Sequence, residues 1–193
     1  MTDASGSVAD PFALAADWLP GPVPRTMTLS TVGTDGYPAA RTVLLSRFDG
    51  RRFHFHTDSR SRKAAELAAV PRATITLVWP EEARQLVVTG DVAQVTDLEA
   101  RLAYAERTPY LQVLAWVNDA EAAQLAADAR RARWAAFAEE RGDQPLRPPS
   151  TWVGYAIDPV RMVFWNGDTE GPSNRVAFER TADGGWSSWS WPG

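Results

Sequence analysis

Cations and hydroxyls crowd one short part of this chain. Arg41 opens the run Arg41-Thr-Val-Leu-Leu, and a second run, Phe53-His-Phe-His-Thr-Asp-Ser-Arg-Ser-Arg62-Lys63, follows within a few residues. The β-branched and leucine residues after Arg41 read as a buried strand. Arg62 and Lys63 open an alanine-rich helix, Lys63 to Ala69, whose first-turn N–H groups also favour an anion. Such a set fits a phosphorylated small molecule. Solvated cations at the ends of strands and helices leave the same signature, and one pair of cations alone does not decide between the two.

The elements that must position these residues follow from the apolar pattern. Asp10 and Pro11 have the chemistry of an N-cap and a first helical position, so a short helix is expected over Phe12 to Leu19, ended by Pro20-Gly-Pro. From Arg25 the period becomes strand-like: Met27 to Val32, a Gly33-Thr-Asp-Gly36 turn, Ala39 to Arg47, an Asp49-Gly50 turn, then Arg52 to His56. This is an antiparallel meander. Ala73 to Trp79 and Arg84 to Val95 add two strands, with Gly90 expected at a bulge. A helical segment, 96–141, starts at a cap in Thr96 or Asp97 and includes the alanine-rich run Ala120 to Glu140, read as surface helix packed on the sheet. After a Pro-rich linker, the closing strands 151–191 are expected as Thr151 to Ile157, Arg161 to Trp165, Val176 to Arg180 and Trp186 to Trp191. The resulting division is an N-terminal helical arm, 1–24, and a single domain, 25–193.

Composition excludes several chemistries. The 193 residues include no cysteine, which removes disulfides, thiolate metal sites and catalytic thiols. Net charge is −4, from 20 basic and 24 acidic residues, which argues against nucleic-acid and anionic-membrane partners while leaving room for a local cationic pocket. The only two histidines, His54 and His56, are too few for a metal constellation. Met1-Thr-Asp-Ala-Ser-Gly-Ser lacks the basic region of a secretory signal, and no run is long enough to cross a bilayer, so a cytoplasmic protein is expected.

Read in order, the motifs resemble the pyridoxamine 5'-phosphate oxidase family of split barrels that bind flavin mononucleotide (FMN). They are Met27-Thr-Leu-Ser-Thr-Val, Gly36-Tyr-Pro, Arg41-Thr-Val-Leu-Leu, Phe48-Asp-Gly, His56-Thr-Asp, Ser61-Arg-Lys, Leu77-Val-Trp-Pro, Arg84-Gln-Leu-Val-Val-Thr-Gly, Ala115-Trp, Pro148-Pro-Ser-Thr-Trp-Val-Gly-Tyr, Phe164-Trp and Arg175. No one of them is specific; their collinear spacing carries the resemblance. It implies a mainly β fold with flanking helices, a split β-barrel with a six-stranded antiparallel core, and a homodimer that builds its flavin sites across the interface. By the same resemblance the run Arg41, Thr42, Val43 and Leu44, the pair His56 and Thr57, and Arg62 and Lys63 hold the flavin and its phosphate end. Gln85 reads the pyrimidine edge of the ring, and Trp165 and Arg175 serve the ring end. Guanidinium, ammonium and hydroxyl suit phosphate oxygens, and an amide suits alternating carbonyls and N–H. Core packing is the competing role for Trp165, and an interface salt bridge the competing role for Arg175.

The departures from the family pattern bear on the substrate. Ser46 stands where the vitamin-phosphate pocket has a lysine, and Ala103 and Leu111 replace a tyrosine and a serine around Arg107, which is kept. Gly171-Pro172-Ser173-Asn174-Arg175 keeps the flavin arginine but loses a substrate arginine and a histidine, leaving Ser46, Arg107 and Ser173 at substrate positions. Ala120-Glu121 replaces a Gln-Ser flavin contact. Each lost charge-assisted hydrogen bond costs about 1.5–3 kcal/mol, so affinity for the vitamin phosphate falls steeply. The leading reading is an FMN-dependent oxidoreductase acting on a different small molecule, with no catalytic side chain because the flavin carries the chemistry. A genuine pyridoxamine 5'-phosphate oxidase and a non-catalytic flavin-binding protein are the alternatives, and the deazaflavin F420 is the alternative cofactor.

Overall fold

The computed structural model describes residues 10–19, 25–142 and 144–192. Among them, packing divides the chain into two compact units. The first takes the described residues of Met1–Phe55, Glu66–Ala93 and Ala156–Gly193, and the second His56–Ala65 and Gln94–Tyr155. Pro20 to Pro24, where the N-terminal helix was expected to end and join the sheet, lie outside the described residues, as do residues 1–9 of the expected arm.

The chain begins with helix α1 (Pro11–Trp18), started by the Asp10 carboxylate, which accepts from the Phe12 N–H at 2.9 Å. Strands β1 (Arg25–Val32), β2 (Pro38–Leu45), β3 (Arg47–Phe48) and β4 (Phe53–Asp58) follow, then helix α2 (Arg62–Ala69), β5 (Arg72–Trp79) and β6 (Arg84–Gln94). Four helices come next, α3 (Asp97–Ala105), α4 (Pro109–Val117), α5 (Ala120–Ala123) and α6 (Ala127–Arg141), and then β7 (Trp152–Asn166), β8 (Asn174–Arg180) and β9 (Trp186–Trp191). The sheet order is β2-β1-β5-β6-β7-β4-β3, with β8 paired to β7 and β9 to β8. On the continuous path only β3 is as short as two residues, leaving six longer strands.

In the first unit the turns are those the glycines dictate: Gly36 and Gly50 adopt φ of +84° and +90°, a region closed to most L side chains. Alternation then sends Met27, Leu29, Ile75, Leu77, Leu86 and Val88 to one buried face, completed by Phe53, Phe55, Met162, Phe164 and Phe178. Helix α1 adds Trp18, edge-on to Trp79 and Phe164 at 5.9 and 5.1 Å.

Two expectations change here. Gly90 is no bulge, because β5 and β6 pair in unbroken register from Arg72↔Asp91 to Trp79↔Arg84. The glycine is needed because a Cβ there would stand 2.2 Å from the Asp158 carbonyl oxygen. That close approach belongs to β7, which runs as one strand through Pro159 where a break at Asp158-Pro159 was expected. A proline removes one N–H and leaves the extended backbone intact, so it need not end a strand.

The second unit is mostly helical, and its caps explain why the long helical pattern divides. Thr96 forms a capping box with Glu99, Thr108 caps α4 ahead of Pro109, and the Asp119 carboxylate caps α5 by accepting from Ala122 N–H at 2.9 Å. Each cap interrupts what composition alone joins into one helix. Tyr104 and Gln112 tie α3 to α4, the tyrosine hydroxyl donating to the Gln112 carbonyl and the glutamine amide to the Tyr104 carbonyl, at 3.0 and 3.2 Å. Among the described residues no helix is long and apolar enough to cross a membrane.

Candidate functional site

Strand alternation decides what Arg41 does. Arg41 pairs with Leu29 in the β1–β2 ladder and shares its face, so its guanidinium enters a buried layer. There it donates to Thr31 Oγ1 at 2.5 Å, to the Leu29 carbonyl at 3.3 Å and to Glu66 Oε2 at 2.5 Å. Thr31 also donates to the same Glu66 oxygen at 2.6 Å. Glu66 is 2% exposed, and a carboxylate so deep needs a cation to stay ionised. The Arg41 charge is therefore matched within the first unit. Thr42 and Leu44, opposite Thr28 and Thr26, take the other face, while Val43 pairs with Met27.

Ser46 is equally occupied: its N–H and its hydroxyl both donate to the His54 carbonyl, at 2.8 and 3.0 Å. His54, 5% exposed, bonds through Nε2 to Asp49 Oδ2 at 2.8 Å. Burial opposes charge on Asp49, but the Arg52 and Arg51 backbone N–H groups and the His54 ring outweigh it and hold the carboxyl at about 2.

In the second unit, β4 passes into α2 through a corner rich in donors. Lys63 Nζ donates to Thr57 Oγ1 at 3.1 Å, and Ser61 Oγ stands 3.4 Å from the same hydroxyl. The Ser61 carbonyl accepts from Ala64 N–H at 3.0 Å, so the first turn of α2 starts beside Arg62 and Lys63. Asp58 holds the corner from outside: the Arg60 guanidinium bonds both of its oxygens and keeps its pKa low. His56 stacks on Trp152, ring centroids 5.2 Å apart and planes 5° from parallel.

Arg107 lies just past α3, its Nε donating to the Leu111 carbonyl at 3.3 Å and its guanidinium 4.7 Å above the Trp152 ring. Burial lowers its pKa, and among the described residues no carboxylate pairs with it. Ala120 and Glu121 face Ser61 across a cleft of about 360 Å³ that also exposes Asp58, Arg60 and Asp119. Glu121 is 3.6 Å from Arg133, which also binds Asp119 at 3.1 Å. A carboxylate thus stands where the family pattern has a hydroxyl or an amide.

The ring-end candidates belong to the first unit. Trp165 and Arg175 are direct cross-strand partners on β7 and β8, both half-buried, and Gln85 pairs with Val78 on β6 on the face opposite Leu86 and Val88. Ser173 is half-buried just before β8. Sequence reading missed Glu66, Trp152 and Gly154. For Glu66 a signal existed, since Arg41 shares a strand face with Val43 and Leu45 and an arginine on a buried face calls for a buried acid.

Comparison with known proteins identifies the family of the chain. A family model described as pyridoxamine 5'-phosphate oxidase matches residues 22–164, and one described as the pyridoxine 5'-phosphate oxidase C-terminal dimerisation region matches residues 152–189. Proteins named pyridoxine/pyridoxamine 5'-phosphate oxidase are 39% identical over 165 residues in Cupriavidus metallidurans (86% of this chain, 77% of the relative) and 38% identical over 189 residues in Caulobacter vibrioides (94% and 84%). Among solved structures, PhzG from Burkholderia lata in complex with tetrahydrophenazine-1-carboxylic acid superposes with a TM-score of 0.77 at 24% identity, covering 94% of this chain and 89% of that one. A pyridoxamine 5'-phosphate oxidase-related, FMN binding protein from Nostoc punctiforme gives 0.59 at 26% identity, covering 88% and 87%. With family model, relatives and split-barrel fold in agreement, the chain belongs to the pyridoxamine 5'-phosphate oxidase family.

Proposed function

We propose that the protein binds FMN without a covalent link and serves as an oxidoreductase for a small molecule other than a vitamin B6 phosphate. The observation that carries this reading is the corner at the start of α2, where the Thr57 and Ser61 hydroxyls and the Lys63 ammonium converge in a chain of this family. Those donors fit a phosphate monoester: two neutral hydroxyls, a compact cation and the N–H groups of a helix start. Arg62 adds a guanidinium. Arg41 is paired with Glu66, and Arg62 and Lys63 are the cations that we assign to the phosphate.

Bound there, FMN would supply the hydride or electron acceptor. The chain's own residues hold and orient it. His56 and the run Thr42 to Leu44 are carried over from the family pattern as flavin contacts, each within its own unit, and Gln85 has the donor and acceptor that a pyrimidine edge requires. Trp165 and Arg175 close the ring end, contributed by the second copy of a homodimer, a state favoured by the match to a dimerisation region. We place the protein in the cytoplasm.

Replacing Arg62 and Lys63 together with alanine is expected to weaken FMN binding by at least about a hundredfold, two charge-assisted contacts being lost. Unchanged affinity in a flavin titration would refute the phosphate site, and mass analysis of the released cofactor separates FMN from F420. A monomer carrying a full complement of flavin in sedimentation would refute the shared site.

The substrate reading rests on Ser46, whose hydroxyl is committed to the His54 carbonyl, and on Ala103, Leu111, Gly171 and Ser173, which leave Arg107 to meet a phosphate alone. The relatives named pyridoxine/pyridoxamine 5'-phosphate oxidase favour a second reading, in which the chain is such an oxidase with a rearranged pocket. Anaerobic mixing of the FMN-loaded protein with pyridoxine or pyridoxamine 5'-phosphate separates the two. Slow or absent flavin bleaching is expected; rapid bleaching restores the vitamin B6 assignment.

A further inference from the structure

We propose that Trp152 and Gly154 are positioning residues for the phosphate corner of the flavin site, acting through His56 and Thr57. The inference rests on the flavin reading above and concerns only the second unit. The Trp152 indole is fixed by its own Nε1–H, which donates to the Ala100 carbonyl at 2.9 Å, and by the edge of Tyr104 at 5.5 Å. On this platform lie the His56 ring, nearly parallel at 5.2 Å, and the Arg107 guanidinium. Gly154 keeps the slot open: a Cβ there would stand 2.6 Å from His56 Cδ2 and Nε2 and 2.7 Å from Val95 Cγ2, so no side chain fits unless the ring moves.

The same segment grips the residues that follow. Ser59 N–H donates to the Thr151 carbonyl at 2.7 Å, and the Thr151 hydroxyl to Asp58 Oδ2 at 3.3 Å. Residues 56–59 are thus held at both ends by Thr151–Gly154, and between those ends sits Thr57, whose hydroxyl accepts from Lys63. Adjacent strand residues share a peptide, so pushing the His56 ring out of its slot tilts Thr57, and a hydrogen bond weakens steeply with angle. The platform sets the hydroxyl–ammonium pair that meets the phosphate, though no atom of Trp152 or Gly154 need touch the ligand.

The test uses the full chain freed of flavin and titrates FMN and riboflavin, which differ only in the phosphate, by quenching of flavin fluorescence. Wild-type protein is expected to prefer FMN strongly. Trp152→Leu and Gly154→Ala should cut the FMN-over-riboflavin preference by about tenfold or more, while Trp152→Phe, which keeps a stacking face, retains it. Gly154→Ala decides the matter if Trp152→Leu does not fold. The inference is overturned if Gly154→Ala keeps the wild-type preference, or if the variants lose both flavins in equal proportion, as a general packing defect would. Wild-type protein that binds neither flavin, or both equally, defeats the flavin-phosphate reading itself and this inference with it.

Discussion

Two arginines that the sequence marks as anion ligands sit in opposite circumstances, one in each unit. Arg41 is enclosed by Thr31, the Leu29 carbonyl and a carboxylate only 2% exposed. Arg107 has an aromatic face and one carbonyl, and among the described residues no acid. The first charge is consumed by the fold, and the second is kept available at the cost of burial, which lowers its pKa. A motif names a residue, but the counter-ion decides what its charge can still do.

The sharpest way to break this contrast is to remove Arg41. Arg41→Met leaves the Glu66 carboxylate buried without its cation, which should cost about 3–5 kcal/mol. Replacing Glu66 by methionine as well should recover most of that loss, since no buried charge is then left uncompensated. Urea unfolding of the flavin-free protein at fixed protomer concentration measures both. A loss below about 1 kcal/mol for Arg41→Met would mean that the pair carries little of the fold's stability.

These contrasts also mark what the sequence made legible. Local signals were readable: Asp10 and Pro11 start α1, Gly36 and Gly50 sit in left-handed turns, and Thr96 caps α3. Each depends on residues within a turn of one another. Arg41 and Glu66 are 25 positions apart and Trp152 and His56 further still, so pairing them requires the sheet order first. The family resemblance supplied the candidates Thr57, Lys63, Arg107 and Arg175, but not that Ser46 spends its hydroxyl on a neighbouring strand or that Arg107 lies on an indole. Nor could periodicity foresee β7 running on through Pro159, or its Asp158 carbonyl approaching Gly90, because that approach joins strands far apart in the chain.

Asp49 gives a pH-dependent version of the committed charge. The Asp49 carboxyl is held at about 2 against an ordinary 3.8, so the fold favours its ionised form. Its contribution, about 2 kcal/mol, is fully present above the unfolded value near 3.8 and is lost as pH falls through about 2. Asp58, Asp119 and Asp183 are lowered too, so the informative quantity is the difference between wild-type protein and Asp49→Asn. That difference should shrink towards zero as the pH approaches 2, and an offset constant with pH would show that Asp49 matters through shape rather than charge.

Arg107→Met should have the smallest effect on stability and the most selective effect on binding. The guanidinium gives up its contact with Trp152, worth about 0.5–1 kcal/mol at a partly exposed site, and a hydrogen bond to the Leu111 carbonyl. Against this, a half-buried cation with no acidic partner is relieved, and methionine fills a similar path over the ring. The net change should stay within about 1 kcal/mol, several times less than for Arg41→Met. The ligand response should separate the variants in the opposite sense. With the flavin site saturated by FMN, inorganic phosphate should raise the melting temperature of wild-type protein and leave Arg107→Met unmoved, because only the former retains an uncommitted cation for a second anion. An equal rise in both proteins would place the responding cation elsewhere, and a loss above about 3 kcal/mol would make Arg107 as structural as Arg41, erasing the distinction between the two.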